Sequence, residues 1–487
     1  MLVDHALPPA WPPSLLMRVF GLAFMLAGCA SGAQIGAAAP PVPARTAAAE
    51  STARYNVAFA SGGELSIEVQ VPAGVLSQAT IESGAEDFVS HIEVASDGSA
   101  FTAIAAPSWP LRLQGCARPC SVRYRFDLAA AAREFKNPQF AAAIGGGFLA
   151  PPTTWLLRPT EARSLPFVLS VATPAGSRFF SGLARDEQGR FHASLADLSQ
   201  APYSGFGPFG SQVVHVGAAT VEVVRVGPEP AVGDTAVVGW VTRCASDIAA
   251  TLGEFPQKYT LVMVVVGGGQ SIANGSALGN GGASVIVHLG ADAQPSRFAD
   301  DWILTHELVH VSMPGLARKH SWMEEGMATF LEPIARANAG RLSARDVWAE
   351  WYYAMAQGQP LSGDGGLDGT RSWGRLYWGG AAFWLLAEVA IAEKTNGAKG
   401  VRHCLRNVNL EGGTIASRWS IERFLGACDR GVGHAVVEPI YRELAERAVP
   451  FDLDGLFSKL GVKKASKGVE LDDAAAGAPI RRAMFGP

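Results

Sequence analysis

The chain is poor in charged side chains and has no excess of basic ones. Of its 487 residues 17% are charged, and 40 Lys and Arg stand against 44 Asp and Glu. A protein that holds a phosphate backbone needs clustered cations, so this balance argues against nucleic-acid binding. The content of 48% hydrophobic residues excludes global disorder. The length predicts two or three domains.

Cysteine and long apolar runs are also scarce. Six cysteines in a chain of this length do not form a disulfide scaffold. Cys116 and Cys120 are close in sequence. Cys404 and Cys428 flank predicted helices. Cys244 would then have no disulfide partner, but the sequence does not fix the pairing. Beyond the N-terminal region, no segment has the 18 or more consecutive apolar residues of a membrane-spanning helix.

The first thirty residues have the pattern of an export signal. The apolar run Val19–Ala27 is too short to span a bilayer. The segment Leu26-Ala27-Gly28-Cys29 resembles the lipobox of bacterial lipoproteins, which implies that Cys29 carries a lipid and begins the mature chain. By the same resemblance, Ala30 favours the outer membrane, facing the periplasm. The alternative is a plain secretory signal, and a start at Met17 gives a better signal sequence than one at Met1.

The pattern of the remaining chain changes near residue 227. Alternating apolar and polar residues predict half-buried antiparallel strands before it, at Tyr55–Phe59, Leu65–Val71, Ser121–Phe126 and Val221–Val226. Beyond it, a buried strand over 259–266 follows a predicted helix over 236–252, and residues from about 300 onward have helical spacing. The sequence thus predicts an α+β protein: signal peptide 1–28, Ala/Pro-rich tether 29–53, β-rich sandwich-like domain 54–227, a mixed domain 228–400 and a mainly helical region 401–487.

A short motif in the mixed domain predicts a metal site. On a helix, His306 and His310 lie four residues apart on one face, so both imidazoles can reach one Zn²⁺. Glu307 follows His306 by one residue, so its side chain can contact a metal-bound water instead of the metal. The residues from 299 onward are compatible with a helix that leads into this motif. The alternative is a chance string in an ordinary helix.

A zinc site needs a third protein ligand, and a second predicted helix offers candidates. Ser321 and Glu324 have capping-box spacing at its start, which leaves Glu325 free to point elsewhere. The alternative is that the two acidic residues only stabilise the helix N-terminus electrostatically, without a metal. Glu332 lies two helical turns after Glu325, on the same face of the helix. It could accept a hydrogen bond from the second ring nitrogen of a histidine that binds the metal, or it could be an exposed carboxylate.

These two segments resemble a known pattern. His306–His310 followed by Trp322–Glu332 is similar to the HExxH and W-x-x-E-G-x-A elements of gluzincin metallopeptidases, as in the aminopeptidase N and glycyl aminopeptidase families. The resemblance implies that His306, His310 and Glu325 hold Zn²⁺, that Glu307 is the general base, and that residues 228–400 form a thermolysin-like catalytic domain. The spacer between His310 and Glu325 is shorter than in aminopeptidase N itself.

Downstream, Leu376–Ala381 looks like the Y-x-x-G-(A/P) element of the glycyl aminopeptidase family. The resemblance implies that Tyr377 stabilises the oxyanion. The alternative is a buried core tyrosine beside Trp373 and Trp378. Tyr352 and Tyr353 compete for the same role, and His320 is a further candidate for an assisting group.

One element of the aminopeptidase N family is missing. The region that corresponds to its acidic substrate-binding strand, Gly279–Ala283, contains no carboxylate, so strict aminopeptidase specificity is not implied. An endopeptidase or an altered exopeptidase is equally compatible. The strand Ala283–Leu289 is expected to present an edge to which an extended peptide adds by backbone hydrogen bonds.

The sequence therefore predicts a zinc metallopeptidase of the bacterial cell envelope that acts on peptides or proteins and contacts the membrane through its N-terminal lipid. Its oligomeric state stays open. One alternative is a non-catalytic peptide-binding or assembly lipoprotein on a gluzincin fold. Another is a zinc hydrolase with a non-peptide substrate.

Overall fold

The computed structural model describes residues 52–105, 107–161, 164–370 and 372–486. The predicted signal peptide, Cys29 and the predicted tether up to residue 51 lie outside this part of the chain, so the lipid attachment stays a prediction. In the part described, none of the helices combines the length and the apolar character that crossing a membrane requires.

The first half is built mainly from strands. They are β1 Ala53–Phe59, β2 Glu64–Val71, β3 Gln78–Thr80, β4 Val89–Ser96, β5 Thr102–Ala103, β6 Leu111–Arg112, β7 Cys120–Asp127, β8 Ala142–Ile144, β9 Gly147–Leu149, β10 Arg158–Pro159, β11 Pro166–Ala172, β12 Arg178–Ser181, β13 Ala184–Arg185, β14 Phe191–Ser194 and β15 Ser204–Gly207, with helices α1 Leu128–Phe135 and α2 Pro152–Trp155. Eight strands form one sheet in the order β13-β14-β11-β1-β2-β7-β4-β5. Burial alternates strictly along β1, which confirms a half-buried strand there; β1 pairs antiparallel with β2, as predicted, but in parallel with β11.

A second sheet of five strands supports the candidate site. Its strands are β16 Ser211–Val216, β17 Ala219–Val226, β18 Tyr259–Gly267, β19 Ile272–Gly279 and β20 Ala283–Gly290, in the order β16-β17-β18-β20-β19. The apolar run of β18 is buried, as predicted. β17 differs from the prediction: it pairs antiparallel with β16 but in parallel with β18, and it belongs to this sheet and not to the sheet of the first half. Both of its faces are covered, because Val221 and Val224 pack into different cores.

Helices dominate the remaining chain, which confirms the predicted α+β class. They are α3 Gly233–Leu252, α4 Pro295–Asp300, α5 Ile303–His310, α6 Ser321–Asn338, α7 Ala344–Ala354, α8 Gly380–Lys394, α9 Val401–Leu410, α10 Ile421–Val432, α11 Val437–Glu446, α12 Leu453–Lys459 and α13 Ala478–Ala483, with a hairpin of β21 Val462–Lys464 and β22 Val469–Leu471. α3 and the later helices share one large apolar core with the five-stranded sheet. This core fixes α5 and α6 against each other.

Two disulfides resolve the pairing that the sequence left open. Cys116 is bonded to Cys120 at the start of β7, and Cys404 is bonded to Cys428, which joins α9 to α10. Cys244 is a buried thiol in α3.

Candidate metal centre

The helix that carries the two histidines begins at a buried aspartate. The Asp301 carboxylate accepts hydrogen bonds from the backbone N–H groups of Ile303 at 3.0 Å and Leu304 at 3.2 Å. These amides belong to the first turn of α5 and have no partner within the helix. Asp301 also accepts from Trp240 Nε1 at 2.9 Å. The chain therefore turns between α4 and α5, where the sequence had suggested one helix from residue 299 onward.

Two imidazoles from α5 and one carboxylate from α6 converge. The ring centroids of His306 and His310 are 5.1 Å apart. Glu325 Oε2 lies 3.3 Å from Nε2 of His306 and 3.5 Å from Nε2 of His310. Two atoms bound to a tetrahedral Zn²⁺ at about 2.0–2.1 Å are about 3.3 Å apart. The spacing therefore fits three ligands of a single zinc ion, and among the described residues this is the one group of His, Cys and acidic side chains close enough to hold a metal.

The charges in this cluster favour a cation. Burial by itself would raise the pKa of the Glu325 carboxyl, but the rings of His310 and His306 hold that pKa well below its usual range. Burial would lower the pKa of His310, but the Glu325 carboxylate raises it to about 9. The attraction that favours a proton on His310 equally favours a divalent cation bound through the same nitrogen.

The position of Glu325 depends on a close contact between two helices. A Cβ on Gly326 would come within 2.3 Å of the carbonyl carbon of Gly380, and one on Gly380 within 2.2 Å of the Trp322 carbonyl oxygen. α6 and α8 therefore touch through backbone atoms. This contact fixes the start of α6, where Glu325 points towards the histidines. The glycine after Glu325 in the motif thus has a packing role.

The neighbouring glutamate has a different partner from the one predicted. α6 begins at Ser321, whose hydroxyl donates to the Arg318 carbonyl at 2.9 Å, so the predicted capping box of Ser321 and Glu324 is wrong. Glu324 Oε1 instead accepts from the backbone N–H of Leu316 at 2.7 Å. Burial raises the pKa of Glu324 to about 7. Glu324 thus ties α6 to the loop before it, while Glu325 points to the histidines.

Glu307 lies beside the cluster of His306, His310 and Glu325, against strand β19. Burial raises the pKa of its carboxyl, the nearby His310 opposes that rise, and the backbone of Ala277 is hydrogen-bonded to it. A Cβ on Gly275 would lie 2.5 Å from Glu307 Cγ. Only glycine therefore permits this approach of strand and helix. Glu307 is held next to the cluster without belonging to it, which is the placement that a general base needs.

The edge strands of this sheet are β16 and β19, and β20 is an interior strand. β20 pairs with β18 on one side and β19 on the other, so the predicted edge at Ala283–Leu289 is wrong. In the part of the chain that the structure describes, β19 has a strand on one side only. Gly279–Ala283, the predicted counterpart of the acidic strand, forms the turn between β19 and β20. The residues of β19 that face Glu307 are Gly275 and Ala277.

Tyr377 lies beside the cluster in a π-helical turn, Arg375–Gly379, that leads into α8. Such turns occur frequently at functional sites. Its ring stacks on His306 with centroids 6.1 Å apart and on Trp373 with centroids 5.2 Å apart. Burial, together with the negative charge of Glu325, raises the pKa of the Tyr377 phenol well above its usual range. The hydroxyl therefore keeps its proton and can donate a hydrogen bond.

Glu332 has a partner other than a histidine ring. It lies on α6, as predicted, and its Oε1 accepts from Arg336 Nη1 at 2.9 Å, one turn on in the same helix. Burial raises the pKa of Glu332 to about 8. Among the hydrogen bonds of the described residues, none joins Glu332 to His306 or His310. The structure thus gives Glu332 a hydrogen bond from Arg336 in place of the predicted contact with a histidine ring.

The other candidates for an assisting group are engaged elsewhere. Tyr352 and Tyr353 pack against each other with ring centroids 5.2 Å apart, and the Tyr353 hydroxyl donates to the Gly468 carbonyl at 3.1 Å. His320 Nδ1 lies 2.9 Å from Asp368 Oδ1. Tyr377 is therefore the tyrosine of these three that contacts the cluster.

The fold of the described chain is similar to that of solved structures from the aminopeptidase N family and of an M1 zinc metallopeptidase. An aminopeptidase N family protein from Idiomarina loihiensis aligns with a TM-score of 0.63 at 12% identity, covering 84% of this chain and 78% of its own. An M1 zinc metallopeptidase from Deinococcus radiodurans has a TM-score of 0.50 at 16% identity, covering 82% of this chain and 94% of its own. A mutant of it bound to a Tyr-Ser-Ala substrate has a TM-score of 0.50 at 15% identity, with the same coverage of both chains. The sequence matches no family model and no curated protein. The chain therefore has the aminopeptidase-like fold that the gluzincin resemblance implied.

Proposed function

We propose that this protein is a zinc-dependent peptidase. The observation that carries the proposal is the convergence of His306, His310 and Glu325 on one point, with Glu307 beside it. The fold shared with the M1 zinc metallopeptidase bound to Tyr-Ser-Ala supports a peptide as the substrate.

The residues around the cluster have complementary chemical roles. When bound, Zn²⁺ supplies a Lewis acid that polarises the scissile carbonyl and makes water more acidic. Glu307 accepts the proton of the attacking water and delivers it to the leaving amine. Tyr377 donates its O–H to the carbonyl oxygen as negative charge develops there.

Strand β19 is the proposed binding edge for the substrate backbone. An extended peptide that adds to this edge runs past Gly275 and Ala277, which face Glu307. No residue of Ile272–Gly279 carries a carboxylate that could bind a substrate ammonium group. We therefore propose that cleavage does not require a free amino terminus, so the activity is that of an endopeptidase.

The proposed location is the bacterial cell envelope, with Cys29 lipidated, the protein tethered to the outer membrane and the catalytic domain facing the periplasm. The lipobox-like segment is the basis for this proposal. The disulfides Cys116–Cys120 and Cys404–Cys428 support it, because such bonds persist in oxidising compartments.

A peptide-library digest tests the proposed function. The zinc-loaded protein is incubated with peptides that have free or acetylated amino termini, with and without a chelator, and the products are identified by mass spectrometry. We expect cleavage at internal bonds that the chelator abolishes, with rates for acetylated and free peptides within about threefold of each other. Cleavage restricted to free amino termini would contradict the endopeptidase assignment. Zinc binding without cleavage of any peptide would favour a peptide-binding lipoprotein or a non-peptide hydrolase.

The contact between strand β19 and Glu307 gives a further prediction. Gly275→Ala should push the Glu307 side chain out of position and lower kcat on the order of 10²-fold, since a shift of about 1 Å at a catalytic group has this effect. Zinc content should stay unchanged. The measurement pairs steady-state kinetics with metal analysis. Gly268→Ala is the matched control, because a Cβ there meets no atom within 4 Å; equal losses in both variants would refute the positioning role of Gly275.

A further inference from the structure

Four aromatic rings form a row along the metal cluster. The Trp302 ring lies edge-on to His306, with centroids 5.8 Å apart. His306 stacks on Tyr377 at 6.1 Å, and Tyr377 stacks on Trp373 at 5.2 Å. His306 and Tyr377 belong to the proposed catalytic machinery. The two tryptophans at the ends of the row, Trp302 and Trp373, have no chemical step assigned to them.

Trp302 faces the same direction as the two histidines. The backbone N–H of His306 donates to the Trp302 carbonyl at 2.9 Å, so Trp302 is in helical register with α5. Residues four apart on a helix share a face, which places Trp302, His306 and His310 in one line. The Asp301 carboxylate that caps α5 holds this end of the line in place. The indole therefore extends the surface formed by the ligands.

The exposure of Trp302 is unusual for this chain. Large apolar side chains of the described residues that are exposed are Val213, Trp302, Tyr353, Leu361 and Leu410. Trp302 is 37% exposed, whereas six other tryptophans are almost completely buried. Of the five exposed side chains, Trp302 is the one whose ring contacts a candidate metal ligand. A large exposed ring beside a catalytic cluster provides area that a bound apolar group can cover.

We propose that Trp302 forms the wall of an apolar subsite that binds an aromatic side chain of the peptide, in a residue next to the scissile bond. This inference rests on the proposed peptidase function and assigns its substrate class. Aromatic rings gain from packing edge to face or offset on an indole as well as from leaving water. Trp373 has a different role, because its stacking on Tyr377 keeps that ring in place.

The test measures binding separately from cleavage. The zinc-loaded Glu307→Gln variant, which retains the cluster, is titrated by calorimetry with capped alanine pentapeptides that carry phenylalanine at each position in turn. We expect phenylalanine at one position to tighten binding about tenfold over the all-alanine peptide. Adding Trp302→Ala should remove this advantage, and adding Trp302→Phe should retain most of it. Tyr353→Ala, which removes another exposed aromatic ring, should leave the advantage unchanged.

The outcomes separate the subsite from the proposed activity. A phenylalanine advantage that persists in the Trp302→Ala variant, or that occurs at no position, overturns the subsite even if the chain with Glu307 cleaves peptides. Tighter binding of the phenylalanine peptide that is lost in the Trp302→Ala variant supports the subsite. If the protein with Glu307 intact then cleaves none of these peptides, the peptidase proposal fails but the binding site remains. Metal analysis of every variant confirms that the cluster is intact.

Discussion

Replacing Glu307 with glutamine is expected to lower kcat for peptide cleavage by about 10³-fold, because general-base catalysis contributes about 10²–10⁴-fold. Glutamine has the same shape but cannot accept and return a proton. Zinc content should not change, since Glu307 lies outside the set formed by His306, His310 and Glu325. The folded state should be at least as stable as before, because burial already disfavours the charge on Glu307.

The measurement combines kinetics, metal analysis and thermal unfolding of the same preparation. Glu438→Gln is a suitable control, because this glutamate pairs with Arg442 at the exposed surface of α11. Normal turnover by the Glu307→Gln variant would mean that another group takes the proton from water. A fall in zinc content along with activity would place Glu307 among the ligands instead.

Glu325→Gln is expected to weaken zinc binding by 10²-fold or more. Loss of groups that merely orient a ligand weakens metal binding by about 10–100-fold, and removing a charged ligand should do more. Activity should disappear with the metal. The intact chain should also gain stability from zinc, by about 2.7 kcal/mol when free zinc is about 100 times its dissociation constant. At the same zinc concentration the variant should gain about 0.4 kcal/mol or less.

Zinc competition against a chromogenic chelator and melting curves with and without zinc measure both effects. The adjacent Glu324→Gln provides a close comparison, because Glu324 differs from Glu325 by one position and its Oε1 accepts from the Leu316 amide. Glutamine retains that acceptor oxygen, so this variant should bind zinc. If Glu325→Gln binds zinc as tightly as the intact chain does, the ligand set is incorrect.

The parts of the site that follow from local spacing could be predicted from the sequence. His306 and His310 share a face because helical period alone places residues four apart together. The structure brings Glu325 to these rings, as the W-x-x-E-G-x-A resemblance implied. The capping role of Asp301 is harder to predict, because Trp302 occupies the position directly before the helix, where start signals are usually found.

The parts that depend on long-range pairing could not be predicted. Burial of Ala283–Leu289 is visible in its apolar residues, but its place inside the sheet depends on pairing with β18 and β19. β19 contains glycine, asparagine and serine, which are not typical of strands. The aromatic subsite is a similar case: Trp302 lies four residues before His306 in the sequence, but its exposure is a property of the fold.

The backbone contact between Gly326 and Gly380 has a mechanical consequence. α6, which carries Glu325, packs directly against α8, which follows the turn with Tyr377. No side chain lies between the two helices that could be compressed or rotated. Glu325 and Tyr377 should therefore shift together as one rigid wall. Binding of a bulky substrate should then leave the distance between Glu325 and Tyr377 unchanged.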